Sequence, residues 1–118
     1  MKAATYEKKI IKNMIAVGTY REEFREIVKT LSKIYEDLDK AKEQFEKTGG
    51  NYIVRHVNKT GGNNIVKNPL YKIIEEMEEK ILAYNREIGL TPRGLKQIKN
   101  RGLDEKKKSK FEEALGKL

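Results

Sequence analysis

Residues 47–63 read KTGGNYIVRHVNKTGGN, one five-residue phrase stated twice, at Lys47–Asn51 and again at Lys59–Asn63. A loop of Lys, Thr and Gly can cradle phosphate, and that reading would place the chain among α/β nucleotide-binding folds. The same residues can instead stop a helix and turn a hairpin, which makes the fold mainly helical. Their order decides between the two. A phosphate loop runs G-x-x-x-x-G-K-[ST] from a buried strand into a helix, whereas here Lys-Thr precedes the glycines and no apolar strand with a magnesium-holding Asp follows. Gly49 comes just after a long periodic segment, where a left-handed residue closes a helix, and Lys47 sits where a cation suits the dipole's carboxyl end. Tyr52, Ile53, Val54 and Val57, and then Ile65-Val66, are strand-forming types. Gly61-Gly62 is therefore expected at the centre of a primed turn, which needs positive φ, in a β-hairpin at about 51–67.

Upstream of the first KTGGN, Tyr6, Ile10, Met14 and Val17 recur at helical spacing, predicting a short amphipathic helix over residues 4–17 that stops at Gly18. Thr19-Tyr20-Arg21-Glu22 has the form of a capping box and is expected to open a second helix reaching about Thr48, about 40 Å long at 1.5 Å per residue. Its stripe is Phe24, Val28, Leu31, Tyr35, Leu38 and Phe45, widened by Ile27 and Ile34. One short helix cannot cover a stripe of that length, so part of it should meet a third helix or a second copy. Phe24, Val28, Leu31, Tyr35 and Leu38 are accordingly the candidate oligomerisation residues.

Downstream, Asn68-Pro69 supplies a cap and a first-turn proline for a third helix. Its apolar face is Leu70, Ile73, Ile74, Met77, Ile81, Tyr84 and Ile88, and Glu75, Glu76, Glu78 and Glu79 form a solvated face near the helix start. Gly89 ends it. Thr91-Pro92 repeats the start signal for a short basic helix carrying Leu95 and Ile98, followed by the charge run Asp104–Lys108 and a further capping box at Ser109–Glu112. The fold class expected is mainly α: a helical hairpin with one long helix, a small β-hairpin, then two further helices. Residues 1–100 form one domain and 101–118 a basic, partly helical tail.

With 118 residues there is room for a single small core, and 26 Lys plus Arg against 18 Asp plus Glu give a net charge of +8. The excess is uneven: +3 over residues 1–18, −1 over 19–50, +3 over 51–68, −2 over 69–91 and +5 over 92–118. Near-neutral helices with basic ends suit a scaffold that meets a polyanion, although solubility alone would also favour charge. There is no Cys and one His, His56, so neither a nucleophile triad nor a zinc site can be assembled in one chain. No cofactor is implied and no enzyme activity is expected. The N-terminus lacks a signal-peptide run, and no apolar stretch is long enough for a membrane span.

Lys67-Asn68-Pro69-Leu70, a helix, and then LAYNREIGLTPRGLKQ at 82–97 resemble the signature of phage DNA-packaging terminase small subunits, in the short helical branch that reads N-P-L, helix, L-G-L-T-P. The short first helix, the G-T-Y turn, the long helix with Tyr and Leu, and a hairpin with a Gly-Gly-Asn turn agree, so the resemblance covers about residues 6–98. It implies a non-enzymatic homo-oligomeric ring, nonameric in one reading, that recognises double-stranded viral DNA in the host cytoplasm. Its partner would be the terminase large subunit, whose ATPase and nuclease it regulates. Basic elements of every copy would then add around the duplex. The first DNA-binding candidates are Arg93, Lys96, Lys99 and Arg101, and the second are Arg55, Lys59 and Lys67 of the acid-free hairpin segment. Two other classes fit the composition: a helix-turn-helix regulator, for which the second helix is too long, and a coiled-coil adaptor, whose core position is interrupted by Lys42.

Overall fold

The structure, a computed structural model, describes residues 1–102. The Asp104–Lys108 run and the Ser109–Glu112 box lie outside them. In chain order come α1 (Ala3–Val17), α2 (Arg25–Lys47), β1 (Ile53–Val57), β2 (Asn63–Lys67), α3 (Pro69–Glu87) and α4 (Pro92–Asn100). The chain is thus mainly helical with one two-stranded antiparallel sheet.

α1 and α3 both lie along α2. Ile10 and Met14 from α1 meet Val28, Leu31, Leu38 and Ala41 from α2 and Ile74, Ile81 and Ile88 from the α3 segment in one core. The helical stripes face mostly inward, as the sequence periodicity requires, with Val17 of α1 and Ile73 of α3 the exposed exceptions among the residues named for them. This burial matches one of the two alternatives for the stripe of α2, a third helix. Val28, Leu31 and Leu38 are buried inside a single chain, and Phe24 and Tyr35 pack partly buried against the same core. Within one chain the stripe of α2 is covered from two sides by α1 and α3.

The KTGGN phrases do separate jobs. At the first, the amides of Gly49 and Gly50 donate to the carbonyls of Glu46 and Phe45, at 3.1 and 2.9 Å, and close α2. At the second, the turn differs from the two-residue primed form. Asn58 N–H donates to Gly62 O at 3.0 Å and Gly61 N–H to Asn58 O at 3.1 Å, so the loop is the three residues Lys59–Gly61. Gly61 alone supplies the left-handed residue, at φ 82°. The Asn58 carboxamide accounts for the longer loop, because its Oδ1 accepts from the Gly62 amide at 2.8 Å and the Thr60 hydroxyl at 2.9 Å.

The capping box at Thr19 does not form. Thr19 N–H donates to Met14 O at 2.9 Å and Gly18 N–H to Ile15 O at 3.1 Å, which finishes α1 instead of opening α2. The Thr19 side chain is fully buried, and its hydroxyl has no hydrogen-bond partner among the described residues. A 3₁₀ turn, Glu22–Phe24, carries the chain into α2 at Arg25, five residues later than the motif implied. The Glu22 carboxylate accepts from the Tyr20 hydroxyl at 2.9 Å and from Arg25 at 3.3 Å.

The molecule is long, with principal extents of 78 × 26 × 20 Å and a radius of gyration of 20.4 Å. A compact domain of this length has a radius of gyration of about 13.5 Å. The hairpin leaves from the end where α2 stops and α3 starts, while α4 folds back at the opposite end.

Candidate nucleic-acid interface

α4 is placed by two close approaches. A Cβ at Gly94 would overlap the backbone carbonyl of Arg86, so this first turn lies flush on the last turn of α3. A Cβ at Gly89 would come within 2.8 Å of Thr19 Cγ2 and 2.9 Å of Ile98 Cδ1. Only glycine permits the α1–α2 turn, the end of α3 and the buried face of α4 to meet there. Thr91 Oγ1 caps α4 by accepting from Gly94 N–H at 3.0 Å. With that amide taken and Pro92 lacking one, the start of α4 has little to offer an anion, and its value to a polyanion rests on side chains.

Arg93, Lys96 and Lys99 follow one another at i, i+3 and i+6 along the exposed side of α4, the opposite side from Gly94 and Ile98. Lys99 lies one turn from Leu95, which lines a groove of about 500 Å³ with Asn13, Ala16, Val17 and Gly89–Pro92. α1 forms the other wall, where Lys9 and Lys12 stand one turn from Asn13 and Ala16. Lys9 and Asn13 also border a neighbouring hollow reaching Leu90, Tyr35 and Asn85. Lysines from two distant stretches of sequence thus flank one groove. Arg101 is set apart from them. It lines a smaller notch of about 170 Å³ on the other flank of α4 with Phe24, Arg86 and Gln97.

The pairing of charges separates these bases from most of those on α2, where Lys42 forms no ion pair among the described residues but the others do. On α2, Lys33 bonds Glu36 and Asp37 at 3.1 and 3.3 Å, Lys40 bonds Glu36 at 3.3 Å, and Lys47 bonds Glu43 at 2.8 Å. Among the described residues, Lys9, Lys12, Arg93, Lys96, Lys99 and Arg101 form no ion pair, and α4 contains no acid. An i, i+4 network like that of α2 neutralises its own field, while α4 leaves its field open.

The hairpin candidates are at the other end of the molecule, beyond α3, whose 19 residues span about 28 Å. Arg55 and Lys59 are exposed. Lys67 is engaged: it pairs with Glu75, lies 5.5 Å from the centroid of the Tyr71 ring, and is held above its ordinary pKa mainly by the Glu75 bond. The seven sequence candidates therefore do not make one patch in a protomer. They form an α4 set, an isolated Arg101, and a hairpin set from which Lys67 is withdrawn. His56 is exposed on the hairpin. Among the described residues no group of three His, Asp or Glu side chains could hold a metal ion, and no helix is long and apolar enough to cross a membrane.

The basic face of α4 is legible in the sequence, whereas Lys9 and Lys12 enter there only as part of the +3 of residues 1–18. Their i, i+3 spacing on α1 is a usable signal; their nearness to α4 is not, because it depends on the packing of α1 and α3 along α2.

Comparison with known proteins gives a family model, described as phage terminase, small subunit, that matches residues 4–105. No curated protein and no solved structure matches the chain. Among the described residues the matched span takes in all of the helices but the first residue of α1, the hairpin and the α1–α4 groove, and the chain therefore belongs to the phage terminase small-subunit family.

Proposed function

We propose that this chain recognises phage DNA for packaging, presents it to the terminase large subunit and acts as a homo-oligomer in the host cell, with α4 and the neighbouring wall of α1 facing the duplex. The observation that carries this reading is the set of unpaired bases, Lys9, Lys12, Arg93, Lys96 and Lys99, gathered at one end of an elongated molecule. What distinguishes this set is its gathering from α1 and α4 around one groove with no acid on α4. Each copy needs to make only a few phosphate contacts, because contacts add across an oligomer. A coiled-coil adaptor is the weaker reading, since the long stripe of α2 packs against α1 and α3 in the same chain.

The test is mass photometry of the purified chain, alone and with a duplex carrying the phage's packaging site or an unrelated duplex of equal length. A multi-copy species that holds the packaging-site duplex more tightly supports the proposal. A monomer that binds neither duplex contradicts it. The isolated chain should hydrolyse no ATP yet raise the ATPase rate of the large subunit. Turnover by the chain alone that is abolished by Lys47→Ala or Lys59→Ala would show that the reading of the two glycine loops is mistaken.

A further inference from the structure

Register places Ile53 opposite Lys67, Arg55 opposite Ile65 and Val57 opposite Asn63, so Ile53, Val57 and Ile65 share one face of the hairpin with Arg55. Val54 and Val66, on the other face, are half-buried, but Ile53, Val57 and Ile65 are 61, 65 and 75% exposed. Three β-branched apolar residues on one side of a two-stranded ribbon form a face that wants cover, since an isolated hairpin is marginal in water. The segment carrying it has three bases and no acid.

We infer that this hairpin face docks on the outer face of α3 of a second copy of the chain, around Leu82. Charge selects the site. Exposed apolar side chains on two helices compete for it: Ile15 and Val17 on α1, within the +3 N-terminal segment, and Ile73 and Leu82 on α3, within a segment of −2. Leu82, at 54%, is the more exposed of the α3 pair; on the side toward the start of α3 it lies one turn from Glu78 and Glu79, which are exposed and form no ion pair among the described residues, and on the other side one turn from Arg86, so the docking face runs from Leu82 toward Glu78. The basic ribbon is repelled by α1 and attracted by α3. Hairpin and α3 face are different surfaces of the same chain, so the contact is head-to-tail, the kind that closes into a ring when its rotation allows. It also occupies Arg55 and Lys59, leaving the duplex to the α1–α4 end. This inference rests on the homo-oligomer part of the proposed function.

A charge swap tests it. Arg55→Glu with Lys59→Glu, and separately Glu78→Lys with Glu79→Lys, should each weaken self-association at least about tenfold, because like charges then face one another. Mixed in equal amounts, the two variants should associate again into species heavier than either variant alone, since each hairpin again meets an opposite charge on the other variant. Sedimentation velocity reads both steps, and recovery on mixing shows that each variant is folded. Either variant keeping wild-type mass at wild-type concentration, or no recovery on mixing, would overturn the docking site while wild-type oligomers remain. A wild-type chain that is itself monomeric would remove the oligomer reading and this inference with it.

Discussion

At Gly94 two effects of one methyl group oppose each other. Alanine favours a helix interior over glycine by about 1 kcal/mol, so propensity alone predicts that Gly94→Ala stabilises the protein. The added Cβ would overlap the carbonyl of Arg86, a backbone atom that cannot rotate away, and overpacking of that kind costs about 1–3 kcal/mol or more. The substitution should therefore lower the denaturant midpoint, and a raised midpoint would mean that α4 does not sit flush on α3. A second residue ties α1 to α2. The Glu36 carboxylate accepts from Ala3 N–H and is bonded by Lys33 and Lys40 at 3.1 and 3.3 Å, and these bonds, that of the Ala3 amide foremost, pull its pKa from 4.5 to about 2. A carboxyl depressed by folding contributes stability that is present above its unfolded pKa and is lost as pH falls through the folded one. Melting temperatures should thus drop between about pH 4.5 and 2, and Glu36→Gln should flatten that part of the profile. Nearby, the Tyr6 hydroxyl donates to Asp39 at 2.6 Å, which pushes Tyr6 up to about 12 and Asp39 below its ordinary range.

The hairpin is anchored at its base and nowhere else among the described residues. Phe45 closes on Tyr52 and Tyr71 with centroids 5.9 and 5.6 Å apart, Tyr52 meets Tyr71 edge-on at 4.8 Å, and Asn68 N–H donates to Tyr52 O at 2.8 Å. Tyr71→Ala removes two of the three ring pairs, each worth about 0.5–1.5 kcal/mol beyond its buried area. Amide exchange in β1 and β2 should speed up while protection in the middle of α2 stays, because the core of Leu31, Ile81 and Met14 does not touch the ribbon. Equal loss in both would show the hairpin to be part of the cooperative core. Elements whose signals are local are legible in the sequence. Asn68 caps α3 by accepting from Leu70 N–H at 3.0 Å, Thr91 caps α4, and Gly18, Gly49 and Gly89 follow the helices they stop. Thr19 is not legible in this way, because two local motifs overlap there and burial against Gly89 and Ile98, a long-range matter, decides between them.

For the whole molecule, the sequence shows that basic segments flank near-neutral helices but not how far apart they stand. α3 carries the hairpin at its start and α4 at its end, so the two candidate DNA-binding sets point to opposite ends of a 78 Å molecule. The stripe of α2 invites a copy–copy interface in sequence because periodicity does not say how many neighbours a long helix has; α1 and α3 together cover it. The surface proposed for a polyanion is the α1–α4 end. The direct test is the salt dependence of duplex binding by wild type and by the triple variant Arg93→Gln, Lys96→Gln, Lys99→Gln, which keeps helix propensity because Gln ranks close to Lys and Arg. Oligomer mass should stay at the wild-type value while affinity falls and the log–log salt slope flattens by about 0.9 for each phosphate that no longer meets a base. Unchanged affinity and slope would contradict the placement of DNA on α4 and turn attention to Arg55 and Lys59 at the far end.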